Sequence, residues 1–334
     1  MVNGYSITDM QHHYIPTEAL KFLGKTPEHD FTTGLKRYRR AYDMMVNVDA
    51  HLEYMDQAGV DVSIVSTGAF SPNGHEFCRA CNDGYAELIK QYPDRFKGTV
   101  LIYPLDGAKN LNEIKRGVEE LGLWGLALAT SYGTNTIDSS IMDPLWEAAV
   151  TYGMPVYIHP TVRINLWGGE RYDLYTTMAR EYDISKAFVE ILYGVLPRFP
   201  ELKVVMAHFG GGLPSLKGRL LAWHQPEGAH IPEDDRRHGL SIRQTKELGL
   251  FDDFEAKTKN FLFDSAGYGG WMPVIKASFD ALGPDHICFG SDFPYELNKG
   301  QYAKGVIEDV CSLDVPQEDK RKFLAGNVKR FFSR

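Results

Sequence analysis

The chain has little cysteine, no excess of positive charge and no long apolar run. Its four cysteines, Cys78, Cys81, Cys288 and Cys311, are spread over 334 residues. That is too few for a disulfide framework. Cys78 and Cys81 make a single CxxC inside a stretch that reads as helix, with no second pair, so they are expected to pack rather than bind metal. Acidic residues outnumber basic ones, 44 to 36, for a net charge of −8. This balance argues against nucleic acid and anionic membranes as partners. No stretch approaches the roughly 18 apolar residues of a membrane-spanning helix. Residues 1–5 lack the basic-then-apolar pattern of a secretory signal, so a cytoplasmic location is expected. Internal repeats and low-complexity tracts are also missing. No GxGxxG follows the first strand, which weakens a dinucleotide-binding reading.

What is present is a regular alternation. With 43% hydrophobic residues the chain can fill a large core, and it reads as one domain over 1–334. Short apolar runs at 6–13, 61–67, 97–102, 125–130, 156–160, 203–208, 261–264 and 287–292 alternate with amphipathic stretches. Helices are expected at 50–58, 74–91, 109–121, 144–152, 213–223, 271–282 and 301–311, with a last one at 316–332. Eight strands separated by helices favour a (β/α)8 TIM barrel over an open doubly wound sheet. Long connections at 16–47, 161–183 and 224–260 follow strands one, five and six. They fall on the rim where such barrels build their sites. The second carries Arg163 and Trp167, candidate substrate contacts, although aromatic residues in a lid also serve plain packing. The third carries the charge run 233–238, read as a solvated or subunit-facing surface.

Four of the apolar runs end in residues of metal-ligand type. The segments are Asp9-Met10-Gln11-His12-His13, Tyr157-Ile158-His159-Pro160, Val205-Met206-Ala207-His208 and Phe289-Gly290-Ser291-Asp292. Strand alternation puts Asp9, Gln11 and His13 on one face and His12 on the other. Neutral imidazole and carboxylate are standard zinc ligands, and three of them with an open position make a catalytic site. On this reading His13, His159 and Asp292 bind one metal, Gln11 adds a weak amide oxygen, and His208 is left for proton transfer. The alternative for Asp292, the lesser of the two, is a helix cap before Pro294. The glycines after His208 let the backbone approach a ligand, and Pro214 suits the first turn of a helix. Arg219, further along, would meet a substrate carboxylate, an acid near the site or a structural salt bridge. Asp264, ending strand seven, is a candidate substrate or supporting residue.

Together these segments resemble the amidohydrolase-related decarboxylases, the family of aminocarboxymuconate-semialdehyde, γ-resorcylate and 6-methylsalicylate decarboxylases. The first strand, Asp9-x-Gln11-x-His13-x-x-Pro16, matches the family's D-x-H-x-H-x-x-P except at Gln11. Ile158-His159-Pro160, Ala207-His208-x-Gly210-Gly211-Gly212 with Arg219, and Gly290-Ser291-Asp292-Phe293-Pro294 match strands five, six and eight. The closing helix, Leu324-Ala325-Gly326-Asn327, matches as well. The resemblance implies His13, His159 and Asp292 as metal ligands with Gln11 at the fourth position. It implies His208 as the acid/base residue and Arg219 as a residue that holds it or the substrate. The implied activity is metal-dependent, non-oxidative decarboxylation of an aromatic or unsaturated carboxylic acid, by a homodimer. Glutamine is a poorer donor to Zn2+ than histidine, and Mn2+ accepts oxygen ligands more readily. The competing reading is a hydrolase on the same fold, a lactonase or amidase, with or without a metal.

Overall fold

The computed structural model describes residues 1–23, 39–161, 171–224, 236–237, 240–241 and 254–333. Its centre is a closed ring of parallel strands. They are β1 (Thr8–His12), β2 (Val62–Val65), β3 (Phe96–Gly98 continuing as Val100–Leu101), β4 (Leu126–Ala129), β5 (Pro155–His159), β6 (Lys203–Met206), β7 (Phe261–Asp264) and β8 (Ile287–Cys288). Each pairs in parallel with the next, from Thr8↔Val62 through Phe263↔Ile287. Strand β3 bends at Thr99, where Gly98 accepts from Trp124 N and Val100 N donates to Gly125. The ring closes between the last strand and the first. Met10 N donates to Phe289 O at 3.0 Å, Asp292 N to Gln11 O at 3.1 Å and His13 N to Phe293 O at 2.8 Å. This closure sets the tip of β1 against the segment carrying Asp292.

The strands are apolar on both faces because helices cover the ring and side chains fill it. Strands β4, β5 and β7 are buried throughout. The main covering helices are α1 (Val48–Ala58), α2 (His75–Gln91), α3 (Ala108–Glu119), α4 (Asp143–Tyr152), α5 (Arg180–Glu190), α6 (His208–His224), α7 (Met272–Ala281) and α8 (Gly300–Cys311). Asn47 caps α1 by accepting from Asp49 N and Ala50 N, and Gly59 ends it with φ 76°. Cys78 and Cys81 are buried, unbridged residues of α2, in line with the packing role expected for them. Among the described residues no helix is long and apolar enough to cross a membrane.

The expected barrel is therefore present, and helices extend into all three expected connections: Arg39–Met45, the first turn of Arg180–Glu190, and Phe254–Thr258. Residues 161–183 were expected to be connection, but α5 begins at Arg180. Its buried Asp183, Ile184, Ala187 and Phe188 fall at helical spacing. The long connections after β1, β5 and β6 include 24–38, 162–170 and most of 225–253, outside the described residues.

Candidate active site

The catalytic rim gathers the predicted strand-end residues into one buried cluster. His13, His159 and Asp292 each offer a ligand atom, and these atoms lie within 4.8 Å of one another. Backbone carbonyls orient both imidazoles. His13 Nδ1 donates to Ser66 O at 2.9 Å and His159 Nδ1 to Pro160 O at 3.0 Å. Each ring thereby turns Nε2 inward, the arrangement that ligating histidines use. His13 Nε2 stands 2.9 Å from Asp292 Oδ1. With Nδ1 carrying a hydrogen, that contact brings two acceptors together and calls for a proton or a cation between them.

His208 completes the ring of nitrogens. It is fully buried, its ring centroid lies 5.7 Å from that of His159, and its Nδ1 meets Glu181 Oε1 at 3.0 Å. His208, Phe209, Gly210, Gly211 and Gly212 all have positive φ, between 48° and 84°, before the helix turns right-handed at Leu213. Left-handed backbone at His208, Phe209 and Asp292 (φ 53°) is costly for residues with a Cβ, and such strain clusters at working sites. Two observations explain how it is held. Asp264 Oδ1 accepts from His208 N and Ala266 N, both at 3.1 Å. A Cβ on Gly267 would lie 2.4 Å from His208 Cγ, so only glycine leaves room for the ring.

The acids around the site are tied by one half-buried cation, Arg180, which no strand-end pattern marks. Arg180 places Nη2 3.1 Å from Glu296 Oε1, Nε 3.4 Å from Glu181 Oε1 and Nη1 3.8 Å from Asp292 Oδ2. Helix α5 reaches the cluster because Gly211 lacks a side chain: a Cβ there would meet Glu181 O at 2.2 Å. Ser185 Oγ fastens the same contact by donating to Gly211 O at 2.7 Å. A signal for Arg180 and Glu181 was available in the helical spacing of Ile184, Ala187 and Phe188 behind them.

Electrostatics divides the histidines. Burial, reinforced by the charges of His13 and His208, holds His159 well below the ordinary histidine pKa, and so neutral. At His208 burial also opposes the charge, but the Glu181 carboxylate more than reverses it and the pKa is raised. Burial alone would raise Asp292; the pairing with His13 and the positive charge of Arg180 hold it below the usual carboxylate range. Asp264, fully buried, is pushed up to about 7 by desolvation. The set therefore offers inward lone pairs, an ionised carboxylate and one histidine disposed to carry a proton.

Of the other expected site residues, one is exposed, one supports the cluster from below, and two fall outside the described residues. Arg219 is exposed on α6, and the partner of His208 Nδ1 is Glu181 instead. Asp264 forms the floor beneath His208 and spends one oxygen on backbone amides, so it supports the acid/base histidine rather than lining open space. Arg163 and Trp167 fall outside the described residues. The expected alternation holds for Gln11 and His13, which both reach Asp292 Oδ1. It fails at Asp9, because the register shifts between Asp9 and His12 and turns Asp9 towards His12 and Ser291.

Residues 8–334 match the family model described as amidohydrolase. The chain belongs to the amidohydrolase family. Among curated relatives, this amidohydrolase is 23% identical to the γ-resorcylate decarboxylase of a Polaromonas species, over 97% of each chain. It is 25% identical to the 6-methylsalicylic acid decarboxylase of Penicillium expansum, over 98% of this chain and 96% of the relative. Among solved structures it superposes with TM-score 0.81 on the 5-carboxyvanillate decarboxylase of Novosphingobium aromaticivorans, complexed with manganese and 4-hydroxy-3-methoxy-5-nitrobenzoic acid. That match has 21% identity and covers 99% of this chain and 97% of the other. At this identity the superposition establishes the shared fold.

Proposed function

We propose that this amidohydrolase is a carboxy-lyase. It removes CO2 without oxidation from a small aromatic or unsaturated carboxylic acid, using one divalent ion, Mn2+ or Zn2+. The observation that carries the reading is the convergence of His13, His159 and Asp292 within 4.8 Å, with His208 beside them. The donor set fits a cation on a second ground. Gln11 Oε1 and Asp292 Oδ2 are buried acceptors without a hydrogen-bond partner, in a place where an unmet acceptor is costly. Full-length relatives named as decarboxylases of hydroxylated aromatic acids support the same class. We include a homodimer and a cytoplasmic location in the proposal.

His13, His159 and Asp292 would hold the ion, with Gln11 beside them. A bound ion supplies Lewis-acid polarisation of the substrate carboxylate and a neighbouring oxygen. The rest of the chemistry belongs to the chain. His208 gives the proton on Nε2 to the carbon bearing the carboxylate, the bond from that carbon to CO2 breaks, and the electron pair ends in the new C–H bond. Solvent then returns a proton to His208. Glu181 stabilises the imidazolium and aims the ring by its Nδ1 bond; Asp264 and Gly267 fix the backbone and face of His208. Arg180 offsets the charge of three acids, which lets them stand together in a buried site.

A hydroxybenzoate panel offered with Mn2+ or Zn2+ tests the proposal by CO2 release. Hydrolysis of lactones or amides with no CO2 from any carboxylate would replace it with the hydrolase reading on the same fold.

A further inference from the structure

Gln11 stands at the centre of the ligand set. Its Nε2 lies 2.9 Å from Asp292 Oδ1, 3.2 Å from His208 Nε2 and 3.3 Å from His159 Nε2. Its Oε1 is buried and meets no donor. Histidine tautomers explain this orientation. His159 Nδ1 faces the carbonyl of Pro160 and His208 Nδ1 faces the carboxylate of Glu181, so each of those nitrogens carries hydrogen. Once His208 has given up its Nε2 proton, both Nε2 atoms are lone pairs, and Asp292 Oδ1 is a third acceptor. Three acceptors converge on one point. The NH2 end of an amide suits that point, whereas a carbonyl oxygen would face three lone pairs. Yet the NH2 group has two hydrogens for three acceptors, and the carbonyl end is left without a donor. A cation answers all three acceptors at once. A half-turn of the amide exchanges Nε2 for the unmet Oε1, an oxygen donor of the kind that hard cations take.

We propose that Gln11 is a two-position residue. In one arrangement its NH2 group ties Asp292, His159 and His208 together; in the other the amide is turned and Oε1 faces a divalent ion. This rests on the reading that the site takes such an ion. It follows that entry of the ion costs the hydrogen bonds of the first arrangement. The ion is held less tightly than a histidine at position 11 would hold it, and Mn2+ is favoured relative to that variant's preference for Zn2+.

The test uses full-length protein treated with chelator, as wild type, Gln11→Leu and Gln11→Glu. Thermal unfolding is measured before metal is added, and Mn2+ affinity by calorimetry afterwards. Gln11→Leu removes both ends of the amide, so it should lower the Tm before metal is added and weaken Mn2+ binding roughly 10- to 100-fold. Gln11→Glu keeps an oxygen donor but loses the NH2 group and faces Asp292 with like charge. It should lower the same Tm yet bind Mn2+ more tightly than wild type. An unchanged Tm in Gln11→Leu, or unchanged or tighter Mn2+ binding by it, overturns the proposal. If wild type takes up neither Mn2+ nor Zn2+, the metal reading falls and this one with it. If Mn2+ binds but a structure of the loaded protein keeps Nε2 among His159, His208 and Asp292, the two-position inference alone falls.

Discussion

His12 and His13 are adjacent in the chain, equally buried, and placed in two different kinds of polar network. His12 belongs to a closed one. Its Nδ1 meets Asp9 Oδ2 at 2.9 Å, its Nε2 meets His51 Nδ1 at 2.7 Å, and His51 Nε2 donates to Met45 O at 3.1 Å. Asp9 in turn accepts from Ser291 N and Oγ. Every ring nitrogen in that row has a protein partner, and burial with the neighbouring His12 keeps His51 well below the ordinary histidine pKa. His13 belongs to an open network. There Gln11 Oε1 and Asp292 Oδ2 have no hydrogen-bond partner, whereas no polar side-chain atom of Asp9, His12 or His51 is left without one. The closed network joins β1 to α1 and to the segment before Asp292. The open one is short of positive charge and donors, which is what a site for a cation requires. Residue type does not separate the two; hydrogen-bond completion does.

Substitutions should therefore act on different properties in the two networks. The largest effect on activity is expected from His208→Ala, a drop in kcat of roughly 10³-fold, within the usual range for losing a general acid. Circular dichroism should report an unchanged fold, and a kcat within tenfold of wild type would remove His208 from the reaction. Asp292→Asn comes next. It removes the negative charge from the open network and should weaken Mn2+ binding at least 10-fold on the scale of altered metal sites, read by competition with a chelating dye.

Glu181→Gln should cost less, about 10-fold in kcat, and should carry a pH signature. Glu181 raises the pKa of His208, so the proton-bearing form exists below that raised value and activity falls as pH climbs through it. Without the carboxylate, that fall should move to lower pH. Linkage carries the same sign. The pair's contribution to stability is complete below the ordinary histidine pKa and is lost as pH rises through the raised one. An unshifted pH profile in Glu181→Gln would mean that the carboxylate does not tune His208. The smallest effect on chemistry belongs to the closed network. His51→Phe should cost about 1–3 kcal/mol of stability by leaving His12 Nε2 without its partner, while Mn2+ affinity changes little. A large loss of Mn2+ binding in that variant would erase the distinction between the networks.

Much of this was readable from residue order. Strand ends were marked by apolar runs stopping at His13, His159, His208 and Asp292, and parallel pairing made their convergence a consequence of the fold. Glu181 and Arg180 were not readable in the same way. They lie in the stretch 161–183, which has no strand-like run, and their reach to His208 and Asp292 depends on helix α5 settling onto Gly211, a contact between two βα units that no periodicity encodes. Asp9 was misplaced for a different reason. A register shift within β1 breaks the two-residue period, and period was the only basis for facing it into the barrel mouth. Arg219 follows His208 on the same element and is exposed on α6, apart from the buried ligand cluster.

The central claim is that the open network holds one divalent ion on which decarboxylation depends. Titrating Mn2+ into chelator-treated protein while CO2 release from a responsive hydroxybenzoate is recorded tests it most directly. The account predicts little release at the start and a rise that saturates near about one equivalent of metal, as for a single site. Full CO2 release from protein stripped of metal, unchanged by added Mn2+ or Zn2+, would contradict it.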